Sequence, residues 1–281
     1  MVDQTLPHQT AVVLIGSGAV KNAWAPVLNA LRRSEIFSDV QSPDAANFAM
    51  AVFIYKRRQI ELAIHDRSVK WRVRRTIKAQ IPQFRDRLRR FRTTIADCLK
   101  ESSSQGELTV RPEFPEVIER FVLRDAAKIA LITTNWDKTV DQAALKIDER
   151  FRVFHLHGDV DNPNTLYLPT EIVEEPYRTR QEKGDLQYRR RQVMNTIKDS
   201  HRLVLYGLGL SPLDAELGQV LASGLNRSQV ARIDIIDPEP FPVAERIYGV
   251  LDLTEDSGAV EICVTKPEGL SKTDTFRLST P

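Results

Sequence analysis

The chain has 281 residues, 42% of them hydrophobic, and a net charge of +2 from 40 Lys and Arg against 38 Asp and Glu. That is enough for one large core, or one domain with an insertion, and too little for two unrelated domains of full size; the balanced charge excludes a chain that coats nucleic acid along its whole surface. Cys98 and Cys263 are too few for a disulfide framework or a structural zinc site of about four ligands. Residues 1–10 lack a signal-peptide pattern and no apolar run approaches the ~20 residues of a membrane span, so a reducing cytoplasmic setting is expected.

Residues 11–15 are an apolar strand ending in Gly16, Ser17, Gly18 and Ala19. Trp24, Val27, Leu28 and Leu31 then recur at helical spacing, so strand, glycine turn and helix are expected to follow directly. Between about 37 and 125 the sequence turns polar, helical and arginine-rich. Ile77, Ile81, Phe84, Leu88, Phe91, Ile95 and Cys98 alternate steps of four and three, which predicts an apolar stripe on one long helix or on two divided near Pro82. Residues 67–92 hold eleven basic side chains, Arg92 the last, against the single acid Asp86. They read as a solvated amphipathic helix or as a surface for nucleic acid or an acidic partner. Residues 102–106 read as an exposed loop.

From Lys128 strands and helices alternate. Candidate strands are 129–133, 151–156, 202–206 and 232–236, with helices at about 137–147, 180–199, 213–224 and 240–248, and 261–265 as a last strand at an edge. The fold class expected is α/β, a doubly wound parallel sheet built from 1–36 and 126–281, with a helical Arg-rich insertion at 37–125 and no zinc ribbon.

The strands deliver polar groups to one edge, where ligands bind in open α/β sheets. The turn Gly16–Ala19 lets backbone N–H groups approach a pyrophosphate, or is simply tight. Lys21 replaces the third glycine of the dehydrogenase fingerprint and no acid closes a second strand, which disfavours hydride transfer. Thr134, Asn135 and Asp137 follow the next strand, where Asn135 is a ligand-binding amide or a helix cap. His155 and His157 are two residues apart on one strand and so share a face, with Gly158 leaving open space beside His157. An imidazole there can take a proton from water or a ribose hydroxyl. Gly207, Gly209, Ser211 and Asp214 follow a fourth strand, Ser211 and Asp214 being equally N-cap candidates. Asp237 ends a fifth, placed for ribose hydroxyls.

The series G-S-G-A at 16–19, T-T-N-W-D at 133–137, H-G-D at 157–159, G-L-S-P-L-D at 209–214 and I-D-P at 236–238 resembles the sirtuin-like NAD-consuming fold, especially its bacterial anti-phage defence branch. It covers roughly 11–32 and 128–240. The resemblance implies that NAD is the substrate, with no metal. It implies that Asn135 meets the nicotinamide ribose and orients water, that Asp137 holds the carboxamide, and that His157, the histidine before glycine, is catalytic while His155 supports it. The segment from Gly207 to Asp214 would line the adenosine half. Trp136 stands where the family often has Tyr or Ile, Pro212 and Leu213 leave one acid in the serine segment, and Asp237 replaces a more usual Asn. With no four-cysteine ribbon, the resemblance tilts from protein deacylase to NAD glycohydrolase. The principal alternative is a non-catalytic NAD- or ADP-ribose-binding module that docks a partner protein or nucleic acid through 67–92. A toxic NADase needs restraint, which implies a homo-oligomer or a separate sensor such as an ATPase.

Overall fold

A computed structural model describes residues 10–34, 37, 40–120, 128–252, 260–270 and 276–278. Residues 1–9 and the expected domain boundaries at residue 36 and at 125/126 lie outside the described residues. Six strands run parallel: β1 (Thr10–Ile15), β4 (Lys128–Thr133), β5 (Val153–His155), β6 (Arg202–Tyr206), β7 (Arg232–Ile236) and β8 (Glu261–Thr265). A seventh, β9 (Phe276–Leu278), adds antiparallel to β8. The order β5-β4-β1-β6-β7-β8-β9 makes this a doubly wound sheet whose direction of winding reverses between β1 and β6. Glu261–Thr265 is therefore an interior strand, and β9 takes the edge expected for it. The two-residue strands β2 (Val20–Lys21) and β3 (Thr109–Val110) pair separately.

Alternation along the buried strands sorts side chains to two faces. Val12, Leu14, Leu203, Leu205, Ile233 and Ile235 face α6 (Arg180–Lys198), α7 (Ala215–Leu225) and α8 (Pro240–Leu251). Val13, Ile15, Leu131, Val204 and Tyr206 face α1 (Ala25–Arg33), α2 (Pro43–His65), α3 (Trp71–Ser104), α4 (Phe114–Ile118) and α5 (Thr139–Ile147). Met50, Phe53 and Ile54 of α2 and Phe91 and Ile95 of α3 thus share one apolar core with the sheet. Each such buried side chain contributes about 1.5–3 kcal/mol relative to exposure.

Helix α3 is continuous through Pro82 and absorbs most of the segment expected as a loop. Ser104 Oγ donates to the Glu101 carbonyl, Ser102 is buried, and the helix stops at Gly106, whose φ of +73° allows the Glu107 N–H to close back on the Ser102 carbonyl. At the other end of the fold a 3-10 turn, Ser17–Ala19, and β2 intervene between β1 and α1, so the expected direct passage into a helix does not occur. Asn22, at φ +58°, accepts at its carbonyl from the Ala25 N–H and sets the late helix start.

Candidate functional site

The strand register puts the ends of the parallel strands in one row. Ile15 lies beside Thr133 on one side and Tyr206 on the other, Thr133 beside His155, and Tyr206 beside Ile236. Gly16, Asn135, His157, Gly207 and Asp237 follow within two residues and emerge along one carboxyl edge. There, over the β1/β6 reversal, a cleft of about 280 Å³ opens, just below the usual range for small-molecule sites. Ser17, Thr134, Asn135, Asp137, His157, Gly207, Ser211 and Asp214 line it, as does Gly209. Gly16, Gly18, Ala19 and Asp237 are not in its wall.

Asn135 is buried and fixed from both sides of the strand gap. Its N–H donates to Thr133 Oγ1 at 3.0 Å and its amide to the Gly16 carbonyl at 3.3 Å, while Thr133 Oγ1 donates to the Ile15 carbonyl. The amide is therefore not a helix cap. The N-cap position of α5 is Lys138; one residue before it Asp137 accepts at Oδ1 from Thr139 N–H at 2.8 Å, the one hydrogen bond this side chain makes among the described residues. Thr134 contributes its N–H to the Ile15 carbonyl.

The two histidines part company because β5 ends at His155. His157 lies beyond it on a turn closed by Gly158 (φ +79°), so the expected common strand face does not arise. Both His155 nitrogens meet acceptors, the Asn135 carbonyl and Asp141, each at 2.9 Å, which makes it a brace for the Asn135 loop. His157 instead turns Nε2 toward Asp214 Oδ1 at 3.3 Å. The alignment is poor for a hydrogen bond, so the pair is chiefly a coulombic one. Burial pulls the His157 pKa down, but the carboxylates of Asp214 and, behind it, Glu216 outweigh burial and leave it raised. Glu216 is itself pushed up by burial, against the pull of Arg190. Asp214 also caps α7 through Leu217 N–H. The residue expected on the adenosine side is thus the partner of the histidine.

The glycine turn is largely committed to the protein's own backbone. Gly16 N–H donates to the Tyr206 carbonyl, Gly18 N–H to the Gly207 carbonyl and Ala19 N–H to the Gly16 carbonyl. Ser17 alone of the four makes no hydrogen bond through its N–H among the described residues, and it lines the cleft. Asp237 accepts from Glu239 N–H, and burial raises its carboxyl, with Glu239 adding to it and Arg111 and Arg246 opposing.

Several wall residues carry no local sequence signal. Trp24, Asp44 and Asn47 come from the starts of α1 and α2, and Tyr167, Thr170 and Glu171 from the irregular segment before α6. Thr170 (φ +69°) and Leu210 (φ +47°), both in the wall, hold left-handed backbone that costs ordinary residues about 1–2 kcal/mol. Glu171 is buried and receives Arg92 at 2.5 and 2.7 Å, Tyr177 Oη at 2.7 Å and its own loop through Leu168 N–H. Burial would raise its pKa, but Arg92, Arg178 and these donors hold it below the usual range. Arg92 therefore belongs to the interior and not to the solvated basic face expected for 67–92; Arg75, Lys78, Arg87, Arg89 and Arg90 remain exposed. The charge pairing spans 79 residues of sequence, which hides it from any local reading.

Comparison with protein-family models and with curated proteins finds no match. Among the described residues no group of three or more His, Cys, Asp and Glu is arranged to hold a metal ion, and no helix is long and apolar enough to cross a membrane.

Proposed function

We propose that this chain hydrolyses the nicotinamide–ribose bond of NAD, giving nicotinamide and ADP-ribose. The observation that carries the reading is the convergence of Asn135, Asp137 and His157 in one cleft at the sheet's reversal point, with Asp214 3.3 Å from the imidazole. As the C1′–N bond breaks, its electron pair leaves with nicotinamide and the sugar becomes cationic. The wall suits that charge: it holds Asp44, Asp137, Glu171 and Asp214 and no Lys or Arg. Asn135 orients the attacking water, whose oxygen bonds to C1′. His157 takes the water's proton, and Asp214 stabilises the imidazolium, as the acid of a Ser-His-Asp triad does. Asp137, with one oxygen free of donors among the described residues, receives the carboxamide N–H.

The resemblance alone extends this to a cytoplasmic anti-phage effector held in check by self-assembly or by a separate sensor such as an ATPase. A second reading, a non-catalytic NAD- or ADP-ribose-binding module, draws support from the raised pKa of His157, which favours the imidazolium over the neutral base that hydrolysis needs. A time course of NAD, nicotinamide and ADP-ribose separates the two. The enzyme reading expects equimolar products from the parent and a rate at least about a hundredfold lower in Asn135→Ala and His157→Ala, both folded. Intact NAD with the parent, alone and with its candidate activator, or unchanged rates in the two variants, refutes it.

A further inference from the structure

The cleft wall holds no Lys or Arg among the described residues, and three of the four glycine-turn amides are committed to carbonyls, so a ligand's diphosphate must be met elsewhere. Two arginines from distant parts of the chain reach the glycine turns beside the cleft. Arg111, which follows β3, donates through Nε to the Gly18 carbonyl, and its backbone N–H donates to the Ala19 carbonyl. Arg246, on the exposed side of α8, donates through one Nη to the carbonyl of Gly209, a wall residue with open space where a Cβ would stand. The two anchoring carbonyls flank Gly207, whose Cα lies 2.9 Å from where a Cβ on Gly18 would be.

Neither arginine has a carboxylate within ion-pair distance among the described residues, and Arg111 has no further hydrogen-bond partner there for its two Nη atoms. Both guanidinium charges act on Asp237, at the end of the neighbouring strand. A positively charged bracket thus stands over the carboxyl edge of β1, β6 and β7, beside a cleft whose own charge is negative.

We infer that Arg111 and Arg246 form a clamp for the diphosphate of an adenosine-diphosphate ligand, set across the glycine turns at the mouth of the acidic cleft. Anchoring through one N–H each leaves the remaining guanidinium donors for phosphate oxygens, the fork geometry to which arginine is suited. The diphosphate lies outside, the cationic head inside, and Asp237 is in reach of the adenosine-side ribose. This assignment rests on the NAD reading for the ligand's identity, and on the arginines alone for the diphosphate.

The test is calorimetric titration of the whole chain with ADP-ribose and ADP, with adenosine and nicotinamide as probes lacking a diphosphate. Arg246→Ala and Arg111→Gln are the variants; glutamine keeps an amide N–H for the Gly18 carbonyl and removes the charge. Each should weaken ADP-ribose and ADP at least about tenfold, leave adenosine and nicotinamide unaffected, and unfold at the parent's temperature. The parent's affinity for both diphosphates should fall as salt rises. Unchanged ADP-ribose affinity in either variant, equal losses for adenosine, or a parent that binds neither diphosphate overturns the clamp. Arginine-dependent diphosphate binding without NAD cleavage keeps the clamp and removes the enzyme reading; NAD cleavage with an unchanged KM in both variants does the reverse.

Discussion

Gly207 is the point where the two glycine-rich strand ends touch, and replacing it with alanine measures how closely they are fitted. Its φ is +58°, and a Cβ there would lie 2.3 Å from Ala19 N and 2.5 Å from Gly18 C. Both atoms are backbone, in a turn already tied by the Gly16 and Gly18 N–H bonds to Tyr206 and Gly207. No side chain can swing aside. Left-handed backbone costs a non-glycine residue about 1–2 kcal/mol, and forcing a methyl into packed backbone about 1–3 kcal/mol more. Gly207→Ala should therefore lose roughly 2–5 kcal/mol of a total of about 5–15 kcal/mol. Gly209→Ala is the control, because nothing lies within 4 Å of its Cβ position and its φ is not in the left-handed region. Urea unfolding should show a lower midpoint at an unchanged slope for the first variant and a near-parental curve for the second. A Gly207→Ala protein within about 0.5 kcal/mol of the parent would mean that the turns are not in contact as described.

Asp214→Asn keeps an N-cap for α7 and removes the charge facing His157; with burial then unopposed by Asp214, the acidic limb of kcat/KM against pH should move to lower pH, and an unmoved limb would contradict the pairing. Glu171→Gln leaves Arg92 and Arg178 buried without their carboxylate and should cost about 3–5 kcal/mol at pH 7 in urea unfolding. Because the folded pKa of Glu171 is depressed, its contribution is complete above the unfolded value of about 4.3 and declines as pH falls through the folded one. The parent should therefore lose more stability than the variant between pH 7 and the acid range, and equal losses would count against the network.

The sheet was legible because its strands are continuous apolar runs. β6 and β7 occupy the expected residues, and β1 and β4 extend one residue earlier. β5 is shorter than the apolar run around it because Asp148 caps a turn through Arg150 N–H, and Phe151 N–H closes on the Asp148 carbonyl. At its other end the strand stops at His155 and the chain turns through Gly158 (φ +79°), which takes His157 off the strand and separates it from His155 in a way that periodicity could not have revealed. Asn135, Asp137, His157 and Asp214 were recognisable as residues of one edge, since strand order and polar strand ends are local signals. Their partners were not. Asp214 was readable as a cap, a local motif, whereas its approach to His157 depends on how α7 docks. Tyr167, Glu171 and Arg178 read in sequence as part of a solvated loop, whereas all three are buried, with Glu171 joined to Arg92 of α3 and to Arg178.

The distribution of charge explains why a helical layer so far from the strand ends in sequence shapes the cleft. The inward arginines Arg57, Arg58 and Arg92 are matched by Glu61, Glu175 and Glu171, while most of the remaining basic side chains of 67–92 stay in solvent. Glu171 belongs to both structures at once. One of its oxygens receives Tyr177 and both receive Arg92, and Oε2 also takes Leu168 N–H, beside Tyr167 in the wall. Tyr167 N–H in turn donates to the His157 carbonyl, and its ring lies 5.6 Å from the imidazole. The Arg178 guanidinium lies over the Tyr167 ring, 4.7 Å from its centroid. A buried ion pair of this kind is weak evidence for stability, since apolar replacements often serve as well, but its geometry is directional and fixes where each partner sits. The chain Arg92, Glu171, Leu168, Tyr167, His157 therefore makes the imidazole's position depend on the register of α3 against the sheet, and an altered α3 would be felt first at the cleft wall.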